Sequence, residues 1–321
     1  MALGVAFAWL AGLVWGLVFV APLLLPQYSA ALLTCGRYLA FGLVALPLGW
    51  LDRARLREFA AADWLEALKL SAIGNFLYYL CLAAAIQRAG GPLPTMVIGT
   101  LPVVIAISSN LRDAQRDGRL PWLKLLPSLG LIATGLACVN HVELQHLRAQ
   151  ADFDLMHYGT GLLLAAGAVA CWTWYPMRNA DWLRAHADRN PRTWATAQGL
   201  MTLPLAVSGY GGLWLWSAFG SDLGPPMPFG ATPQRYILLM LAVGLLASWV
   251  GTLCWNEASQ RLPTALVGQL IVFETLSALT YALLLRGVRP EALTLAGIGL
   301  LVAGVLGAVR IKPIPVSPPP P

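Results

Sequence analysis

A chain of 321 residues that is 58% hydrophobic and only 11% charged, with a mean hydropathy of +0.65, is not a soluble globular domain, because such domains carry about 25% charged residues. Its formal net charge of +6 would suggest nucleic acid in a soluble protein, but here the basic residues sit mostly between apolar blocks. The composition predicts an all-α integral membrane protein whose surroundings are the lipid bilayer, with no nucleic-acid partner.

Ten apolar blocks follow, each of roughly the 20 residues that about 30 Å of hydrocarbon requires. They are expected at Leu3 to Leu25, Tyr28 to Leu51, Trp64 to Ile86, Pro92 to Leu111, Trp122 to Val139, Tyr158 to Met177, Trp194 to Trp216, Tyr236 to Ala258, Pro263 to Leu285 and Ala292 to Ile311. The first block is read as a span and not a signal peptide, since no basic residue precedes it and no small-x-small cleavage site follows. It holds "GLVWG", whose Gly12 and Gly16 have the spacing of close helix packing, and Trp15, too deep for an interfacial anchor. The second span has Arg37 near its middle, where a charge needs a partner. The third brings Asn75, Tyr78 and Tyr79 to depth in "GNFLYYLCL". Pro102 stands inside the fourth, where a missing backbone donor makes a hinge.

The loop after the fifth span, expected over 140–157, holds His141, Glu143 and His146; this is not the helix-borne HExxH of zinc sites, and no metal is expected. Trp172 and Trp174 lie in the sixth span, and Trp249, Trp255, Asn256 and Glu257 in the eighth, Glu257 near its cytoplasmic end as a gate or vestibule residue. In the ninth, "LIVFETLSAL" places Glu274 about eleven residues in, hence roughly 16 Å deep at 1.5 Å per residue. An unpaired charge there costs on the order of 2.5 to 3.5 kcal/mol, so Glu274 must face the bundle interior, pair or be protonated. Three readings stay open: an ion pair with Arg37, a proton-coupling carboxylate, or a contact for a substrate ammonium. Arg37 could equally receive a substrate carboxylate. The tail from 313 to 321, "PIPVSPPPP", is expected as disordered polyproline.

With the N-terminus in the cytoplasm, thirteen Arg and Lys fall inside and five (Arg88, Arg148, Arg235, Arg286, Arg289) outside. The excess predicts both termini cytoplasmic. The five cysteines all fall within or at the ends of spans without a CxxC pair, as small packing residues.

The halves resemble each other. A shift of 173 puts Cys81 on Cys254, Gln87-Arg88 on Gln260-Arg261 and Leu101-Pro102 on Glu274-Thr275; a shift of 169 puts Gly130 on Gly299 and Gly135 on Gly304; a shift of 157 puts Trp15 on Trp172. Two five-helix repeats, at 1–139 and 158–312, would be inverted in the membrane because five is odd, which is the build of secondary transporters with a site near the midplane. Pro102 and its repeat partner Thr275 are then the hinge candidates.

Four stretches resemble the drug/metabolite transporter superfamily, in its ten-helix form with two EamA-type repeats: "CGRYLAFGL", "AIQRAGGPLPTMVIGTLPVVIAI", "CWTWYPMRNA" and "VGQLIVFETLSALTYALLLRGVRPEALTLAGIGLLVAGVLGAV". Thr275 departs from the family's frequent Pro after the Glu, and Leu285-Arg286 from a Gly-Glu pair. The aromatic content is similar to that of its aromatic amino-acid and drug exporters. The resemblance implies a secondary transporter, an exporter of small metabolites such as amino acids or drug-like solutes, working without a cofactor; monomer and homodimer both stay open, and the short loops point to a bacterial inner membrane. Protons are a second partner if Glu274 couples them; uncoupled exchange is the alternative. The candidate substrate residues are Glu274, Arg37, Asn75, Tyr78, Tyr79, Trp15, Trp172, Trp249 and Asn256. No GxxxxGK[ST] occurs, so this chain has no P-loop for ATP. Two further classes stay in view: an intramembrane lipid-modifying enzyme, which would need an acid/base cluster near an interface, and a structural membrane subunit.

Overall fold

A computed structural model describes residues 2–112, 121–148, 154–219, 227–262, 270–287, 289–311 and 314. Among these there is no β-strand, and the elements are helices. Leaving the four-residue helix Arg53–Leu56 unlabelled, we call them α1 (Ala2–Leu24), α2 (Ala30–Leu51), α3 (Ala61–Ala89), α4 in two segments (Pro92–Ile98 and Leu101–Arg112), α5 (Trp122–Arg148), α6 (Leu155–Ala185), α7 (Pro191–Phe219), α8 (Pro233–Arg261), α9 (Val272–Arg286) and α10 (Ala292–Val309). Six of them are long and apolar enough to cross a membrane: α1, α2, α3, α5, α6 and α8. Shorter apolar helices lie at Pro92–Ile105, Phe273–Leu285 and Ala292–Ala308. The 29 residues of α7 suffice in length, but its Thr, Gln and Gly content leaves it less apolar than the six.

Local chemistry sets the helix ends. Ser29 caps α2 by accepting from the Leu32 N–H at 3.2 Å, and Asp154 caps α6 by accepting from the Met156 N–H at 2.8 Å. Proline opens the first segment of α4, α7 and α8, where its missing N–H costs nothing. Gly287 closes α9 at φ 63°, a left-handed backbone that only glycine adopts freely.

Two boundaries differ from the sequence reading. Residues 140–148, expected as the start of an external loop, continue α5 to Arg148, so His141 and His146 are helical and His146 meets Glu291 at 2.8 Å. The sixth span runs past Met177 to Ala185. Apolar periodicity ends before either helix does, because polar residues can extend a helix beyond the hydrocarbon. The Pro-rich tail, except Ile314, and the expected start of the ninth span at 263–269 lie outside the described residues.

The main packing partners are α5 with α10, α2 with α7, α3 with α6, α1 with α8, and α1 with α9. The GxxxG of α1 makes the last of these close. A Cβ on Gly12 would sit 2.9 Å from the Glu274 backbone N, and one on Gly16 would sit 2.7 Å from the Ser277 Cβ. Only glycine lets α1 approach α9 this far, and that approach fixes where Glu274 stands. Helices α3 and α8 each change to π-helical winding over one stretch, Ser71–Leu77 and Val243–Val250. Such wide turns expose backbone carbonyls and recur at functional sites.

Candidate functional site

A cavity inside the bundle is lined by Trp15 and Val18 from α1, Arg37 and Tyr38 from α2, Asn75 and Tyr78 from α3, Trp172 and Tyr175 from α6, Ala247 and Thr252 from α8, and Glu274 from α9. Six of the sequence candidates therefore share one cavity: Trp15, Arg37, Asn75, Tyr78, Trp172 and Glu274. Its free volume is about 10 Å³, room for roughly one water molecule.

Arg37 is 4% exposed and held rigidly. Its Nε donates to Ser248 Oγ at 2.9 Å, and its guanidinium lies 4.3 Å from the Tyr79 ring centroid and 4.9 Å from that of Tyr38. These cation–π contacts are strong where water is excluded. Ser248 belongs to the π-helical stretch of α8, so the irregular winding delivers the acceptor. Glu274 is 1% exposed in the first turn of α9. Arg37 and Glu274 do not form an ion pair: among the described residues, Arg37 Nη1 and Glu274 Oε2 are both buried without a hydrogen-bond partner. Also unpartnered are Tyr38 OH, Asn75 Nδ2, Tyr78 OH, Tyr79 OH, Trp249 Nε1 and Thr275 Oγ1. A native bundle satisfies nearly all of its buried polar atoms; of these eight, Arg37 Nη1, Tyr38 OH, Asn75 Nδ2, Tyr78 OH and Glu274 Oε2 belong to residues that line the cavity.

The aromatic wall is continuous. Trp15 meets Trp172 edge-on at 4.9 Å and Trp255 at 5.1 Å, while Trp172 also contacts Tyr78 at 5.7 Å and Tyr175 at 5.4 Å. Gly251 makes room for it, because a Cβ there would overlap Trp15 Nε1.

Three candidates stand elsewhere. Tyr79 backs the Arg37 guanidinium from behind the lining, and Trp249 lies on the α8 π-helical stretch outside the lining. Asn256 belongs to a separate buried amide network. In it Asn179 Oδ1 accepts from Trp194 Nε1 at 2.8 Å and Gln198 Nε2 at 3.0 Å, while Asn179 Nδ2 donates to Asn256 Oδ1 at 3.0 Å. Tyr175, a cavity residue, donates to Gln198 Oε1 at 2.9 Å and so joins the cavity to the network. Beyond it, Trp182 stacks on Trp194 at 3.6 Å. A polar groove of about 450 Å³ follows, lined among others by Glu58, Arg189, Pro191, Glu257 and Arg261. Glu257 there pairs with Arg261, and Arg189 reaches Glu58 at 2.8 Å. Toward the opposite end of α2, Tyr28 stacks on Tyr236 at 5.0 Å, and the Tyr236 hydroxyl donates to the Leu32 carbonyl at 2.8 Å.

One hinge candidate, Thr275, packs against the turn that precedes the other, Pro102. Between its two segments α4 turns at Gly99–Thr100, just before Pro102, and a Cβ on Gly99 would lie 2.8 Å from Thr275 Cγ2 in the first turn of α9.

Sequence reasoning missed Tyr38 and Tyr175. The first directly follows Arg37 and the second lies one helical turn beyond Trp172, so i, i+3 spacing from a chosen candidate would have found Tyr175.

Comparison with known proteins agrees with this architecture. Residues 2–138 match the model of the EamA-like transporter family. The inner membrane protein YtfF of Escherichia coli K12 is 54% identical over 313 residues, covering 97% of this chain and 96% of the relative. The threonine/homoserine exporter RhtA of the same strain is 27% identical over 241 residues, 73% of this chain and 66% of the exporter. A solved crystal structure shares the fold, with a TM-score of 0.61 at 19% identity over 95% of this chain and 96% of its own.

Proposed function

Because the chain belongs to the EamA-like transporter family, we propose that this cell-membrane protein is a secondary transporter exporting small metabolites of amino-acid or drug-like size. In this reading ten spans form two inverted five-helix halves, 1–139 and 158–312, with both termini cytoplasmic, and the halves rock about the central cavity to alternate access. The observation that carries it is the cavity: a buried Arg, a buried Glu and an aromatic wall with unpartnered polar atoms, brought together from six helices.

The packing pattern supports two related halves. Exchanging α1–α5 for α6–α10 turns the α1–α8 contact into α6–α3 and the α1–α9 contact into α6–α4, both of which occur, and returns α2–α7, α5–α10 and α4–α9 to themselves. The π-helical stretches agree, since a shift of 173 carries Ser71 to Gly244 and Leu77 to Val250. The amide network and the Trp182–Trp194 stack then close the cytoplasmic side, and the Tyr28–Tyr236 stack the external side. The name of the threonine/homoserine exporter supports amino acids as the cargo class. Glu274 is the carboxylate through which protons couple, as an acid deep in the membrane whose Oε2 has no other claim on it.

The test is flux into proteoliposomes of a panel of amino acids and aromatic cations, with and without a pH gradient, for wild type and Glu274→Gln, with folding checked by size-exclusion profile. The expected variant folds, keeps exchange and loses gradient-driven accumulation. Normal accumulation by the variant would remove the proton role; no protein-dependent flux of any solute would remove the transporter reading itself.

A further inference from the structure

We propose that the cavity is a binding site for one buried water molecule, which accepts from Arg37 Nη1 and Asn75 Nδ2 and donates to Glu274 Oε2 and the Tyr78 hydroxyl. The site stands on the geometry of the cavity alone and goes beyond the transporter reading, which concerns cargo and not solvent.

Volume sets the first limit. About 10 Å³ is at the lower bound for one water, and too little for an organic solute or a chain of waters. Polarity sets the second, because a buried water needs roughly two to four polar partners. The lining supplies them. Arg37, Glu274 and Tyr78 are 4%, 1% and 3% exposed, and each has a buried polar atom without a protein partner, as does Asn75. Tyr78 takes the fourth bond in preference to Tyr38, because its hydroxyl lies within electrostatic reach of both Arg37 and Glu274 and that of Tyr38 within reach of Arg37. Much of the remaining lining is Trp15, Val18, Trp172 and Ala247, which present mainly carbon, and the Tyr175 hydroxyl is committed to Gln198 Oε1 at 2.9 Å.

Donor and acceptor types select water over an ion. Arg37 Nη1 and Asn75 Nδ2 can only donate, and they match the two lone pairs of a water oxygen. The Glu274 carboxylate can only accept, and a phenol oxygen can accept as well, so these two match its two hydrogens. A sodium ion would face the donors Nη1 and Nδ2. A chloride ion would face the carboxylate and exceed the volume. Direct pairing of the two charges is held off from both ends. Ser248 and the rings of Tyr79 and Tyr38 fix the guanidinium, while the close approach of Gly12 to the Glu274 backbone fixes the start of α9. The water therefore joins Arg37 to Glu274 as a solvent-separated pair, since a bridging water is nearly as good as a direct hydrogen bond.

The experiment is X-ray hydroxyl-radical labelling of the full chain in lipid nanodiscs, read by mass spectrometry. The pulse makes radicals from water where it stands, so a buried side chain beside a bound water is oxidised and a dry one is not. Tyr78 and Tyr236 form the internal comparison, since both are 3% exposed and the Tyr236 hydroxyl is satisfied by the Leu32 carbonyl at 2.8 Å. Tyr78 is expected to be oxidised at least tenfold faster than Tyr236. After mixing with oxygen-18 water for milliseconds before the pulse, the Tyr78 product should keep the light isotope while the product at Phe219, which is 86% exposed, carries the heavy one. Asn75→Leu, which replaces a donor by methyl groups of similar size, should lower the Tyr78 rate to that of Tyr236. Equal rates for the two tyrosines in wild type overturn the proposal, and this arm needs no variant to fold. Heavy oxygen at Tyr78 at the shortest mixing time overturns it too, because the cavity would then be open to bulk solvent, as does an unchanged Tyr78 rate in folded Asn75→Leu. The transporter reading is tested separately: absence of proteoliposome flux removes that reading and leaves the water, whereas a dry cavity removes the water and leaves the transporter.

Discussion

Asn179 is the keystone of the layer between the cavity and the polar groove, and Asn179→Leu is the perturbation that tests this. The residue is fully buried and makes three side-chain hydrogen bonds, with Trp194 Nε1, Gln198 Nε2 and Asn256 Oδ1. Leucine fills similar volume but leaves those three atoms unpaired. Interhelical hydrogen bonds in membrane bundles average about 0.6 kcal/mol, and an orphaned buried group in a soluble core costs about 1 to 3 kcal/mol. Three at the membrane-bundle value give roughly 2 kcal/mol, and three at the low end of the soluble-core value about 3 kcal/mol. Trp194→Phe is the control: it removes one donor, leaves Asn179 Oδ1 still accepting from Gln198, and should cost about 0.6 to 1 kcal/mol plus a small packing loss. The assay is the midpoint of heat-induced loss of the monodisperse size-exclusion peak in detergent, at matched protein concentration. Asn179→Leu should fall by several degrees and by about three times the drop of Trp194→Phe. An equal drop for the two would refute the reasoning, because the network would then contribute no more than one bond.

Four other outcomes follow from the same contacts. Gly12→Leu should abolish the α1–α9 approach, since even a Cβ would lie 2.9 Å from a backbone nitrogen that cannot yield; the expected result is loss of the folded size-exclusion peak, while Gly159→Ala, with nothing within 4 Å of its Cβ, should leave it unchanged. Gly251→Val should displace Trp15 from its contacts with Trp172 and Trp255, read as a change of at least several-fold in solute affinity with the folded peak retained. Ser248→Ala frees Arg37 Nε and should weaken binding of carboxylate-bearing solutes about tenfold, or roughly 1.4 kcal/mol, with little effect on cations. Arg189→Ala should shift the heat-denaturation midpoint little, because its partner Glu58 is 63% exposed and pairs in water contribute at most about 1 kcal/mol.

Much of the site was legible because membranes punish misplaced polarity. Arg37, Glu274 and Asn75 stand out in an apolar text, and depth along a helix can be counted at a fixed rise per residue. Trp15 was legible for the complementary reason, as a ring too deep to be an anchor; the same reasoning picks Trp249, which stands outside the lining. The residues that escaped notice are those whose importance comes from winding or from partners on other helices. Ser248 and Tyr175 look ordinary in the sequence. A π-helical stretch leaves no compositional signature, so the turn of Ser248 toward Arg37 cannot be read from spacing that assumes 3.6 residues per turn. Asn179 lies beyond the apolar block that ends at Met177, yet α6 continues through it and buries it. The helical residues at 140–148 escaped for the same reason, because hydropathy measures the membrane and not the helix.

The two π-helical stretches connect these points. Each lies on a helix facing the cavity, and each brings a polar or small group to its lining, Asn75 on α3 and Ala247 on α8, while Ser248 beside Ala247 holds Arg37. A π-helical turn closes its backbone bonds one residue further along than an α-helix does, so the side chains on it leave the 3.6-residue register of the flanking turns. In α8 this winding sets Ser248 where its Oγ accepts from Arg37 Nε at 2.9 Å, and the guanidinium is thereby fixed between the rings of Tyr79 and Tyr38 instead of being free to follow its own rotamers.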